Sequence, residues 1–216
     1  MQSEVERQNK EVNNVFEQLQ KVIIICAQLL LYPFLLCMRF VLLRGRLYRS
    51  IGVEDLKNSD ARYVLYANHQ SKLDPLIITA ALPFMTILRL LPFRFFVDNS
   101  YLKSIMKPIL YLFGGFPAHA EEGKQYGLYK AKSVLSNYET VVIFPPGRRT
   151  REHIAKPGVS VLAEEPKTWL IPVYIHWSGR WKCHVYIGKP ERYLKPQTPE
   201  NLMDEVYKLP KKLART

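Results

Sequence analysis

His69 and Asp74 stand five residues apart in the run Asn68-His69-Gln70-Ser71-Lys72-Leu73-Asp74. On a regular helix that spacing turns about 140°, so an unbroken helix would point the two side chains apart. A strand end that turns into a helix can bring them together, and a short apolar strand is expected at Tyr63–Tyr66, just upstream. A carboxylate beside an imidazole fixes its tautomer and stabilises its protonated form. A general base needs both when it takes a proton from a hydroxyl. Ser71 is placed to cap the helix that follows. On spacing alone, a histidine at a strand end is more often structural than catalytic.

A second run, Phe144-Pro145-Pro146-Gly147-Arg148-Arg149-Thr150, also follows an expected strand. Paired arginines beside a flexible Gly at the end of a sheet strand suit recognition of a phosphate or carboxylate. Lys156, a few residues on, adds a further cation. The plain alternative is a basic surface turn.

The elements that must position these runs read as α/β. Short β-branched or aromatic stretches at Tyr63–Tyr66, Phe95–Val97, Val141–Phe144, Leu170–Ile175 and Val185–Ile187 are bounded by Gly, Pro, Asn or Asp. Helical stretches are expected between them, at Pro75–Leu82, Leu102–Phe113, Gly123–Asn137 and Val159–Glu164. Such alternation predicts a mixed, largely parallel central sheet flanked by helices. Thr198-Pro199 reads as a cap and first turn of a last helix. The stretch from Leu73 to Phe96 is heavily apolar, as helix packing requires and as an apolar binding tunnel or membrane-facing surface would also require.

The first fifty residues differ in character. Val12, Val15, Phe16 and Leu19 line one helix face. Val22 to Met38 then holds Gln28 as its only strongly polar side chain. At about 1.5 Å per residue this run covers roughly 25 Å, short of the roughly 30 Å hydrocarbon core. Continuing it to Leu43 makes it long enough but takes in Arg39, with Pro33 in the middle. A transmembrane helix, a helix pair dipping into one leaflet with a kink at Pro33, and a buried core helix all remain open. No basic opening segment or small-residue cleavage site marks a cleaved signal peptide. Arg39, Arg44, Arg46 and Arg49 follow with no acid before Glu54, which puts the rest of the chain on the cytoplasmic side and suits anionic head groups.

The chain has 216 residues, enough for one domain with an appendage, and is read as a membrane-associated segment, 1–50, and a catalytic domain, 51–216. Its 31 basic and 19 acidic residues leave a net charge of +12, which favours anionic partners. Nucleic acid is not expected as one, because no helix-turn-helix, zinc-finger or RNA-binding signature accompanies the charge. Three cysteines without CxxC spacing make neither a disulfide framework nor a structural zinc site.

Together the two runs resemble the glycerolipid acyltransferases, most closely the 1-acylglycerol-3-phosphate (lysophosphatidic acid) type. His69-Gln70-Ser71-Lys72-Leu73-Asp74 fits their histidine, four residues, aspartate signature, and Phe144 to Thr150 is similar to their Phe-Pro-Glu-Gly-Thr-Arg block. Gly114-Gly115-Phe116-Pro117 and Leu170-Ile171-Pro172-Val173-Tyr174 sit where two further blocks belong.

The resemblance implies that His69 deprotonates the free hydroxyl of a lysophospholipid while Asp74 holds the imidazole. The hydroxyl then attacks the thioester of acyl-CoA or acyl carrier protein, making phosphatidic acid for phospholipid synthesis. No cofactor, metal or acyl-enzyme is implied. Gly147, Arg148, Arg149, Lys156 and His119 would face the acceptor's phosphate, Arg149 being the motif arginine. The pattern's glutamate is Pro146 here, its threonine is Arg148, and Ala118-His119 stands where an arginine is usual. These departures leave open another lysophospholipid or glycolipid acceptor, and also a catalytically inactive lipid-binding scaffold. Neither acyl-chain length nor oligomeric state is legible.

Overall fold

The computed structural model describes residues 2–43, 47–49, 56, 60–102, 105–118, 126–147, 155–179 and 182–213. Among these residues seven strands make one sheet: β1 (Leu47–Arg49), β2 (Arg62–Ala67), β3 (Phe93–Val97), β4 (Gly115–Pro117), β5 (Thr140–Ile143), β6 (Thr168–Trp177) and β7 (Cys183–Ile187). Their order across the sheet is β1-β7-β6-β2-β5-β3-β4. Every neighbouring pair is parallel except β6 with β7. The expected α/β class and largely parallel sheet are therefore what forms. The expectation omitted β1 and β4, whose three residues each are too short to carry an alternation signal.

Helices occupy both faces. On one side lie α1 (Gln2–Met38), α2 (Asp74–Ala81) and α3 (Phe84–Leu90); α4 (Asn99–Leu102) and α5 (Lys107–Leu112) follow β3. On the other lie α6 (Tyr126–Ser136), α7 (Gly158–Ala163) and α8 (Pro199–Leu213). Handedness explains the division. The crossovers β2→β3 and β3→β4 run the same way across the sheet, so right-handed connections put α2, α3 and α5 on one face. The steps β4→β5 and β5→β6 run back, which carries α6 and α7 to the other.

Strand alternation builds a core on each side. In β2, Tyr63, Leu65 and Ala67 join Ile77, Leu90, Leu35 and Met38, whereas Val64 and Tyr66 meet Val134, Leu162 and Val206. Thr198 caps α8 as expected, its Oγ1 accepting from the Asn201 N–H at 3.2 Å. The single helix expected over Leu102–Phe113 is instead α4 and α5, with residues 103–104 outside the described set.

α1 is one continuous helix through Pro33, ending in a π-helical turn at Arg39–Leu43. By length and composition its Glu11–Val41 stretch is apolar enough to cross a membrane. It is neither a helix pair nor a fully buried helix: Ile24, Ala27, Leu35 and Met38 are buried, whereas its opposite side is bare. Gln28 pins it to the sheet. Its side-chain amide donates to the carbonyls of Phe93 (2.8 Å) and Phe113 (3.0 Å), and its Oε1 accepts from the Phe93 N–H (2.9 Å). The one strongly polar residue of the apolar run thus satisfies backbone groups at the amino-terminal ends of β3 and β4.

Candidate active site

β2 lies between β5 and β6, so its carboxyl end opens at the middle of the sheet, where the chain order switches direction. Open α/β sheets bind ligands at such switch points. The segment after β2 is fastened on both sides of His69. Asn68, buried, donates its amide to the Ile175 carbonyl (2.8 Å) and accepts from the Ile175 N–H (2.7 Å), which prolongs the β2–β6 ladder with a side chain. Gln70 Oε1 accepts from the Trp177 N–H at 3.1 Å.

Asp74 opens α2, with Pro75 next setting the backbone angle of the first turn. A negative side chain there also meets the helix dipole favourably. Its carboxylate is fully buried and accepts on both oxygens. Oδ2 receives the N–H groups of Gln70 (2.6 Å) and Ser71 (2.8 Å) and lies 2.9 Å from His69 Nδ1. Oδ1 receives the indole N–H of Trp177 at 2.9 Å. Ser71 does not cap α2 by its side chain. Its hydroxyl accepts from the Leu73 N–H (3.2 Å), and Leu73 holds the cap position without a side-chain bond. The Asp74 carboxylate reaches back to tie the turn instead.

With Nδ1–H donating to Asp74, His69 keeps its lone pair on Nε2, the nitrogen turned away from the carboxylate. The ring is one-fifth exposed and stacks on Phe144, centroids 4.4 Å apart. Phe144 follows β5, so this contact brings the two sequence runs together. Beyond it the chain turns tightly, Gly147 N–H donating to the Phe144 carbonyl at 2.8 Å. Gly147 has φ +68°, a backbone region that disfavours side chains. Lys156 lies across the turn. A Cβ on Gly147 would come within 2.8 Å of its Nζ, and the Lys156 N–H donates to the Pro145 carbonyl (2.9 Å). Pro146 is buried and offers no side-chain acceptor or donor at the position of the family glutamate. Arg148, Arg149 and His119 lie outside the described residues.

Cys183 on β7 is buried, and burial, with the Asp74 charge adding to it, pushes its thiol up to about 12. It is no candidate nucleophile. A cleft of about 390 Å³ opens elsewhere, between Glu191, Tyr193 and α8. Lys212 and Lys208 hold the Glu205 carboxyl below the usual range there, the Lys212 hydrogen bond leading, and among the described residues no histidine lines it. Sequence reasoning missed Asn68, Gln70 and Trp177 as supports of the pair. Trp177 could have been found only from the register of β6 on β2.

The fold and this pair define a class. A family model described as Acyltransferase matches residues 49–176, more than half of the chain. The chain belongs to the acyltransferase family. No curated protein matches it. It is similar to a solved structure, the 1-acyl-sn-glycerophosphate (LPA) acyltransferase PlsC from Thermotoga maritima, with TM-score 0.55 and 16% identity over 94% of this chain and 96% of that one.

Proposed function

We propose that this acyltransferase acts on the free hydroxyl of a lysophospholipid, lysophosphatidic acid first among them, with acyl-CoA or acyl carrier protein as donor. The observation that carries the reading is the 2.9 Å contact of His69 Nδ1 with the buried Asp74 carboxylate at the carboxyl end of β2. His69 Nε2 takes the hydroxyl proton as the oxygen attacks the thioester carbonyl. The tetrahedral intermediate collapses, the C–S bond breaks, and the sulfur leaves with the proton that His69 returns. Asp74 keeps the ring in one tautomer throughout and balances the transient imidazolium charge. The products are a diacyl lipid and a free thiol, phosphatidic acid if the acceptor is lysophosphatidic acid. No resident cofactor enters these steps.

In this reading residues 51–216 form the catalytic domain, 1–50 bind it to the membrane, and catalysis faces the cytoplasm. Arg149, with Gly147, Arg148, Lys156 and His119, meets the acceptor's phosphate. Pro146 favours a second reading of the same chemistry, because a buried proline replaces the family glutamate and alters what surrounds the head group. Thiol-release kinetics on purified protein separate the two. The first reading expects turnover fastest with lysophosphatidic acid and a large, selective loss in R149A. Equal rates on an uncharged monoacylglycerol, with equal losses in R149A, would remove the phosphate site and favour the other head group.

A further inference from the structure

The two helical layers differ in what they show to the outside. On the face carrying α1, α2, α3 and α5, large apolar side chains stand bare: Leu30 is 82% exposed, Met85 66% and Ile105, just before α5, 91%. Leu88 on α3 and Ile109 on α5 are bare as well. The opposite layer carries charge, with Lys132 paired to Glu165 and Lys208 to Asp204 and Glu205. A water-soluble surface has no use for apolar area spread over three helices.

The outer side of α1 has an order of its own. At about 100° per residue, Val12, Phe16, Leu19, Ile23, Leu30 and Cys37 fall within a sector about 60° wide. All six are exposed. The stripe runs the length of the helix, from its polar first half to its apolar second half. A helix crossing a bilayer would need apolar residues all round over about 20 positions. This one has a single apolar side at its start, and from Ile24 onward the sheet covers another. Charge agrees. Residues 18–43, 75–97, 99–102 and 105–118, which include the second half of α1 and all of α3 and α5, contain no Asp or Glu. Lys107 is exposed at the start of α5 and Arg39 follows the end of α1. Apolar side chains with a cationic rim match a leaflet that contains anionic lipid.

We infer that α3 and α5, together with the outer stripe of α1, form one membrane-docking face, and that α1 lies along a single leaflet. The inference rests on the membrane-bound reading above and deepens it by naming the surface. α2 belongs to the same layer, and its first residue, Asp74, with the paired His69, borders that layer. Leu73, half-exposed just before Asp74, is the near edge of the apolar surface.

The test uses the full chain with Cys26 and Cys37 replaced by Ala and an environment-sensitive fluorophore on one new cysteine: L30C, M85C, I105C or Y129C. Tyr129, 65% exposed on α6 of the opposite layer, is the control. Vesicles of phosphatidylcholine with phosphatidylglycerol are expected to blue-shift the labels at 30, 85 and 105 and leave 129 unchanged. M85K/I105K in the full chain is expected to lower vesicle partition by about tenfold or more, and Y129K not. A shift at 30 without shifts at 85 and 105 would overturn the inference and leave the membrane-bound reading standing. No vesicle binding by any variant would overturn both. A shift at 129 equal to the others overturns the orientation. A shift present without vesicles and lost on dilution would make a second copy of the chain the occupant, and would overturn it too.

Discussion

The indole of Trp177 donates to Asp74 across 103 residues of sequence, at 2.9 Å, from the last residue of β6 to the first residue of α2. That bond takes the carboxylate oxygen that His69 does not use. With one oxygen held by Trp177 and the other by two backbone N–H groups, the carboxylate cannot rotate. The imidazole is aimed by something that is itself fixed.

His69→Ala is expected to lower kcat by about 10²–10⁴-fold or more, the usual worth of a general base. Melting temperature should fall little, since the ring gives up its stack on Phe144 while the residues on either side of it stay fastened by their own bonds. Asp74→Asn should fall in the same range and cost stability as well, because the amide presents donors to groups that already donate. Thiol-release kinetics and thermal melts of the purified variants check both. More than a tenth of wild-type activity in His69→Ala would remove the base assignment.

Trp177→Phe keeps the ring and deletes one hydrogen bond to a buried carboxylate, worth about 1.5–3 kcal/mol. If the bond serves to orient Asp74, kcat should drop by about tenfold or more with KM nearly unchanged, since 1.36 kcal/mol is a factor of ten. A change confined to melting temperature would make the contact purely structural.

Gly147→Ala forces a side chain into φ +68° and toward Lys156. The conformational part costs about 1–2 kcal/mol. Adding Lys156→Ala should return the steric part only, leaving the double variant between wild type and Gly147→Ala in urea denaturation. Full recovery would mean that the turn relaxes and the positive φ is dispensable.

Thiol reactivity should divide by position. Cys183 is buried with its thiol pushed up to about 12, so thiolate is scarce at neutral pH and access is closed. In native protein free of detergent and lipid, a soluble disulfide reagent is expected to titrate Cys26 and Cys37 quickly and Cys183 only on unfolding. Fast labelling of Cys183 would show that β7 opens readily.

Much of the site was legible because local chemistry writes it locally. Histidine and aspartate five apart, a proline after the aspartate and a strand before the histidine describe a strand-to-helix turn without reference to the rest of the chain. What could not be read depends on sheet order. That Asn68 pairs with Ile175 and Asp74 with Trp177 follows from β6 lying beside β2, and no periodicity in either strand announces its neighbour. Ser71 was misread for a related reason: serine before a helix is a cap by frequency, but here the buried carboxylate three residues on claims its backbone N–H. The apolar run before Arg39 was ambiguous because hydropathy does not say which side of a helix finds a sheet. Gln28 was the clue, a lone polar group placed to meet open backbone.

The Gln28 clamp also orders events in time. Phe93 and Phe113, whose backbone groups it binds, are synthesised 65 and 85 residues after it. α1 therefore leaves the ribosome with its amide unanswered and with no sheet to cover Ile24 or Leu35. During translation its apolar sides can be answered only by a lipid surface or a chaperone, and the amide is satisfied last, when the β3–β4 crossover arrives. Closure of the α/β fold against α1 therefore waits for β3 and β4 to arrive.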